Sequence, residues 1–173
     1  MARLFFALWP DGPAREALAA HGARLAGPAR GRVVPAAKMH LTLVFLGEVA
    51  PERVALLHRA AGEVEARCFE VVLDEVGSFR HAGIAWAGCR EPSPALLDLQ
   101  VALAEKLRNR GLVLEARPFA PHLTLARRMA VPVAREAIAP VSWRASAIAL
   151  VQSDRGRGSY ATLAQWPLRE TAG

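Results

Sequence analysis

Apolar residues recur along this 173-residue chain with two periods, and the switches between them divide it into strands and helices. Residues 3–9 are almost continuously apolar and read as a buried strand. Residues 13–25 follow helical spacing, with Asp11 as a candidate cap, Gly22 as a weak point and Gly27-Pro28 as the end. Residues 30–37 are loop-like, with Val33-Val34 extended. Polar and apolar positions then alternate over residues 39–46 until Gly47 closes the run. Pro51 opens a helix whose Val54, Leu57, Ala61 and Val64 share a face. Residues 69–76 and 83–88 form a hairpin pattern with residues 78–82 as its turn. A helix over residues 94–110 starts at Ser93 as cap, turns Leu96, Leu99, Leu103 and Leu107 inward, and stops at Gly111. The remaining strands fall at residues 112–116, 119–126, 143–151 and 159–166. Between them, residues 132–140 read as irregular and residues 152–158 as a mobile loop.

Strands outnumber helices, and helices come singly between strand pairs, which predicts an α+β fold with antiparallel sheets. Two of the strands carry one tetrapeptide, His-Leu-Thr-Leu, at residues 40–43 and 122–125. Their separation, 122 − 40 = 82, is close to half the chain, so one domain over residues 1–173 made of two packed lobes is expected, each lobe with one copy. On a strand His and Thr share a face while Leu41, Leu43, Leu123 and Leu125 turn to the core. Two such His-Thr pairs facing each other frame a cleft. A lone His-x-Thr is more often a histidine held by a neighbouring hydroxyl; the second, identical copy favours function.

Composition narrows the classes. Hydrophobic residues at 53% with 22% charged are ordinary for a globular protein, and no apolar run approaches the ~20 residues of a membrane helix. Pro10 and Asp11 stop the apolar opening too early for a signal-peptide core. Cys68 and Cys89 form no Cys-x-x-Cys pair, so neither a disulfide nor a cysteine metal site is expected, and a reducing cytoplasm suits the chain. The net charge of +6 comes from 22 basic residues, of which only Lys38 and Lys106 are lysine. That excess of Arg suits a phosphate-rich partner, although its scatter fits a compositional bias equally well.

Four stretches carry a family resemblance: Arg3-Leu4-Phe5-Phe6-Ala7, residues 39–48 (MHLTLVFLGE), residues 118–127 (PFAPHLTLAR) and residues 158–163 (GSYATL). With them the chain resembles the two-histidine (2H) phosphoesterases, and among these the RNA 2′,3′-cyclic phosphodiesterases, also called 2′-5′ RNA ligases. Lys38 stands where that family has Asn or Asp. The resemblance implies a bilobal fold, with two antiparallel sheets related by a pseudo-two-fold axis around a central cleft and helices outside. It implies hydrolysis of RNA or nucleoside 2′,3′-cyclic phosphates to 2′-phosphates with no metal and no cofactor, and a weak reverse ligation forming 2′-5′ links. His40 would be the acid that protonates O3′ and His122 the base that activates water, with Thr42, Thr124 and Arg127 on the phosphate. Phe5 would offer a base a stacking surface, and Tyr160 would approach the substrate. No membrane is implied, and a monomer is expected.

The residues themselves allow this chemistry. Imidazole titrates near neutrality, so one ring can take a proton while the other gives one. Thr hydroxyls beside them can stabilise charge growing on phosphate oxygens. Strict alternation places Arg127 on the face opposite His122, so its role requires a bulge or a strand end, whereas Arg128 has the right parity without the family match. His21, His58 and His81 lack a Thr partner and read as structural or surface residues. Two other classes stay open at this stage. One is a nucleotide- or RNA-binding module without catalysis. The other takes His40 and His122 as metal ligands, against which no carboxylate or Cys sits at ligand spacing beside either.

Overall fold

The computed structural model describes residues 1–172, and its elements follow the hydrophobic pattern closely. In chain order they are β1 (Ala2–Leu8), α1 (Gly12–Ala26), β2 (Arg32–Val33), β3 (Leu41–Val49), α2 (Val54–Gly62), β4 (Phe69–Phe79), β5 (Ile84–Gly88), α3 (Pro94–Arg108), β6 (His122–Arg127), β7 (Glu136–Ala145), β8 (Ala147–Asp154) and β9 (Ser159–Pro167). The expected caps are in place. Asp11 accepts a hydrogen bond from the Ala14 N–H at 2.9 Å, and Ser93 accepts one from the Leu96 N–H at 3.3 Å.

The fold is α+β, with one antiparallel sheet in the order β7-β4-β5-β6-β3-β1-β8-β9 and β2 paired to β6. One continuous sheet stands in place of the two expected, because β3 and β6 pair and join its two four-stranded halves at the single pair Leu41–Leu123. These are the same position of the two His-Leu-Thr-Leu copies, so the antiparallel bridge sets the two copies in equivalent places on either side of it. The lobes are not the two halves of the chain. Residues 69–145 supply β4 to β7, inserted between β3 and β8, and the other lobe is closed by strands from both ends of the sequence.

Helices lace the lobes together. Leaving β1, α1 packs on β5, β6 and β7 of the other lobe; leaving β5, α3 reaches β3 as well as β4. Gly22, a weak point in isolation, is needed here. A Cβ at that position would lie 3.0 Å from the Leu125 carbonyl oxygen and 3.2 Å from Val33 Cγ1, so its absence lets α1 lie close on β6. The helix-covered face buries Leu4, Phe6, Leu8, Leu41, Leu123, Leu103 and Leu107 without exposure. Each such side chain stabilises the fold by about 1.5–3 kcal/mol.

Four expectations about the later strands are corrected. Residues 112–116 form no strand, because both edges of β6 are already taken by β5 and by β3 and β2. Residues 136–140, read as irregular, belong to β7; Pro140 is tolerated there because β7 is an edge strand. The run 143–151 is two strands interrupted at Ser146. The segment 152–158 is strand as far as Asp154, whose carboxylate then accepts the Gly156 and Arg157 N–H groups in a tight turn.

Candidate active site

Leu41 and Leu123 face each other across the bridge and both turn to the core. Opposed residues of an antiparallel pair project to one side, and their neighbours project to the other. His40, Thr42, His122 and Thr124 flank that pair and therefore share the open face of the sheet, two from each lobe.

The same irregularity follows each copy of the repeat. Thr42 pairs with Ala7 but Val44 pairs with Phe6, so Leu43 is an extra residue in β3. Thr124 pairs with Trp86 but Ala126 pairs with Ala85, so Leu125 is the extra residue in β6. A bulge leaves its carbonyl without a ladder partner. Here the Leu43 oxygen accepts from Gln100 Nε2 of α3 at 3.4 Å, and the Leu125 oxygen accepts from the Val34 N–H at 2.9 Å. Each bulge also shifts the alternation by one. The bulge that Arg127 required is present, and Arg127 comes round to the face of His122 and Thr124. By the same shift Phe45, five residues after His40, joins His40 and Thr42. Arg128 lies past the strand end with φ 56°, exposed.

Both rings are held alike. His40 Nδ1 lies 2.8 Å from the Lys38 carbonyl oxygen and His122 Nδ1 lies 2.8 Å from the Ala120 carbonyl oxygen. A carbonyl oxygen only accepts, so each Nδ1 carries the proton, and Nε2 of each ring is left to take or give one. The anchor is backbone, so Lys38 serves as well as Asn or Asp at this position. Its own Nζ donates to the Gly158 carbonyl oxygen and ties the β8–β9 turn to the site.

The surroundings of the two rings differ. His40 stacks on Phe5, with centroids 4.7 Å apart and planes at 27°, and meets the edges of Tyr160 at 5.2 Å and Trp9 at 5.5 Å. Among the aromatic rings of the described residues His122 meets Phe79 alone, edge-on at 5.0 Å, and Phe79 is exposed. Phe5 is therefore corrected as a base-stacking surface: it is 4% exposed, and His40 already occupies its face. Tyr160 is half-buried and braces both Phe5 and His40. Trp9, Phe45 and Phe79 were not singled out by sequence. Trp9 shares Phe5's parity, and Phe45 stands at Arg127's offset in the other copy of the repeat, so both signals were present.

Burial among these aromatics lowers the His40 pKa from its ordinary 6.5, and the Arg127 and His122 charges lower it further against the raising effect of the Lys38 carbonyl. Arg127→Gln removes one depressing charge. His40 is then expected to titrate at higher pH, which an NMR titration of its ring proton reads directly; an unmoved resonance midpoint would count against the proximity of the two groups.

An antiparallel α+β sheet that brings two His-Thr pairs to one face is the arrangement of the two-histidine phosphoesterases. The chain belongs to the 2′-5′ RNA ligase superfamily, whose family model matches residues 10–157. It is 34% identical over 174 residues to the RNA 2′,3′-cyclic phosphodiesterase of Escherichia coli (strain K12), covering 97% of this chain and 97% of that protein. Its identity to the RNA 2′,3′-cyclic phosphodiesterase of Thermus thermophilus is 33% over 182 residues, covering 96% of this chain and 90% of that protein. The crystal structure of E. coli LigT complexed with 3′-AMP matches with a TM-score of 0.86 at 34% identity, covering 96% of this chain and 98% of that one.

Proposed function

We propose that the protein hydrolyses RNA or nucleoside 2′,3′-cyclic phosphate ends to 2′-phosphates, with its two histidines as acid and base. The observation that carries this reading is the pair of rings on one sheet face, each with Nδ1 committed to a carbonyl and Nε2 left for proton transfer. Family, relatives and fold support it. His122 takes a proton from water as the oxygen bonds to phosphorus. The P–O3′ bond breaks, and His40 gives its proton to O3′. Thr42, Thr124 and Arg127 stabilise the charge on the non-bridging oxygens. The acid role of His40 follows the family resemblance; burial lowers its pKa, so it holds the proton it must donate only in the lower part of the pH range. The same step with a 5′-hydroxyl in place of water gives weak 2′-5′ ligation.

No helix among the described residues is long and apolar enough to cross a membrane, and both cysteines are free. The reading includes a monomer in a reducing cytoplasm.

Turnover of a 2′,3′-cyclic phosphate in EDTA tests the proposal. The kcat/KM profile is expected to be a bell, whose basic limb, where His40 loses the proton it must donate, lies early because its pKa is lowered and moves to higher pH in Arg127→Gln. Activity abolished by the chelator would revive the metal-ligand reading. Tight nucleotide binding without any turnover would favour the binding module.

A further inference from the structure

The open face carries a second guanidinium that the reaction does not use. Arg3 lies two residues before Phe5 on β1, and alternation puts both on that face, about 6.6 Å apart along the strand. Glu48 is its cross-strand partner, yet the guanidinium turns instead over the Phe45 ring, 4.5 Å from the centroid. None of the ion pairs among the described residues involves Arg3. Phe45 occupies in one lobe the place that Arg127 has in the other, so the Arg3-Phe45 stack stands in the β3 lobe where Arg127 stands in the β6 lobe. Beyond Arg3 a cavity of about 320 Å³ opens, lined also by Gln152, Ser153 and Arg155. Glu48 and Asp154 line it too, but the Asp154 carboxylate is engaged by its own turn.

We propose that Arg3, shelved on Phe45, binds the phosphodiester on the 5′ side of the terminal nucleotide, so that an RNA strand leaves the site over β1 and β8 towards Arg155. This rests on the cyclic-phosphodiesterase reading above. Stacking uses one face of a guanidinium and leaves its edge N–H groups for phosphate oxygens. The strand distance from Arg3 to Phe5, which lies under His40, is on the order of one nucleotide step. The site therefore prefers RNA ends to mononucleotides, because only an RNA end has that second phosphate.

The test compares a mononucleoside 2′,3′-cyclic phosphate with a trinucleotide ending in one, for the wild type, Arg3→Gln and Arg3→Lys. In Arg3→Gln the ratio of kcat/KM values, trinucleotide over mononucleoside, is expected to fall about tenfold, the size of one charge-assisted hydrogen bond. The slope of log KM for the trinucleotide against log salt should weaken by about 0.7, the single-strand value for one phosphate. Arg3→Lys keeps the charge and should retain that slope. An unchanged ratio, or equal losses on both substrates, overturns the proposal. A wild type inactive on the mononucleoside and the trinucleotide alike overturns instead the reading on which it rests.

Discussion

His122→Ala is expected to lower kcat/KM for a 2′,3′-cyclic phosphate by about 10²–10⁴, and His40→Ala by a similar factor, with the fold of both variants intact. His122 projects from the open sheet face and His40 rests on Phe5 between Tyr160 and Trp9, so truncation of either removes a proton-transfer group while the helix-covered core is untouched. The double variant should lose much less than the product of the single losses, because neither transfer is useful without the other. Undiminished turnover in both single variants would reject the two-histidine mechanism.

The same variants separate acid from base. A substrate with sulfur in place of O3′ expels a thiolate, which needs no proton. His40→Ala should therefore recover most of its loss on that substrate, while His122→Ala should not. Recovery in His122→Ala alone would reverse the assignment. The test is needed because the geometry is nearly symmetric: Nδ1 is committed to the carbonyl two residues upstream in both rings. What sets them apart is the aromatic surroundings: Phe5, Tyr160 and Trp9 about His40, Phe79 beside His122.

Alternation within each His-Leu-Thr-Leu made the partition of the site legible in the sequence, since it fixes which two residues face outward. What alternation could not show is where it stops. Leu43-Val44 and Leu125-Ala126 are apolar pairs that continue a strand pattern without a mark, and each bulge is sustained by a donor far away in sequence, Gln100 or Val34. That is why Phe45's place on the open face was missed and Arg127's needed an assumption. Phe5 was placed on the correct face, but burial is a property of neighbours: Tyr160 and Trp9, from the far end of the chain and from beyond β1, enclose the ring that Phe5 supports. Pro140 misdirected the reading of β7 for a related reason, since a proline is excluded from central strands and tolerated on edges, and edge position belongs to the assembled sheet.

Leu41→Ala is expected to destabilise the protein by about 2–5 kcal/mol, as truncation of a fully buried leucine does. At this chain length that corresponds to a fall in Tm of roughly 10 °C. A second effect should accompany it. The two halves of the sheet meet at Leu41–Leu123, and the side chains flanking that pair are the proposed acid, base and phosphate donors. A cavity beneath the pair loosens the spacing between His40 and His122, and misplacement by about 1 Å can cost roughly 10²-fold in rate. Leu73→Ala supplies the control: Leu73 is fully buried too, but it lies on β4, which β5 separates from β6 and the bridge. Both variants should melt early, and at room temperature, where both remain folded, only Leu41→Ala should lose kcat. Equal kcat in the two would mean that the lacing helices, and not the single bridge, hold the histidines at their working distance.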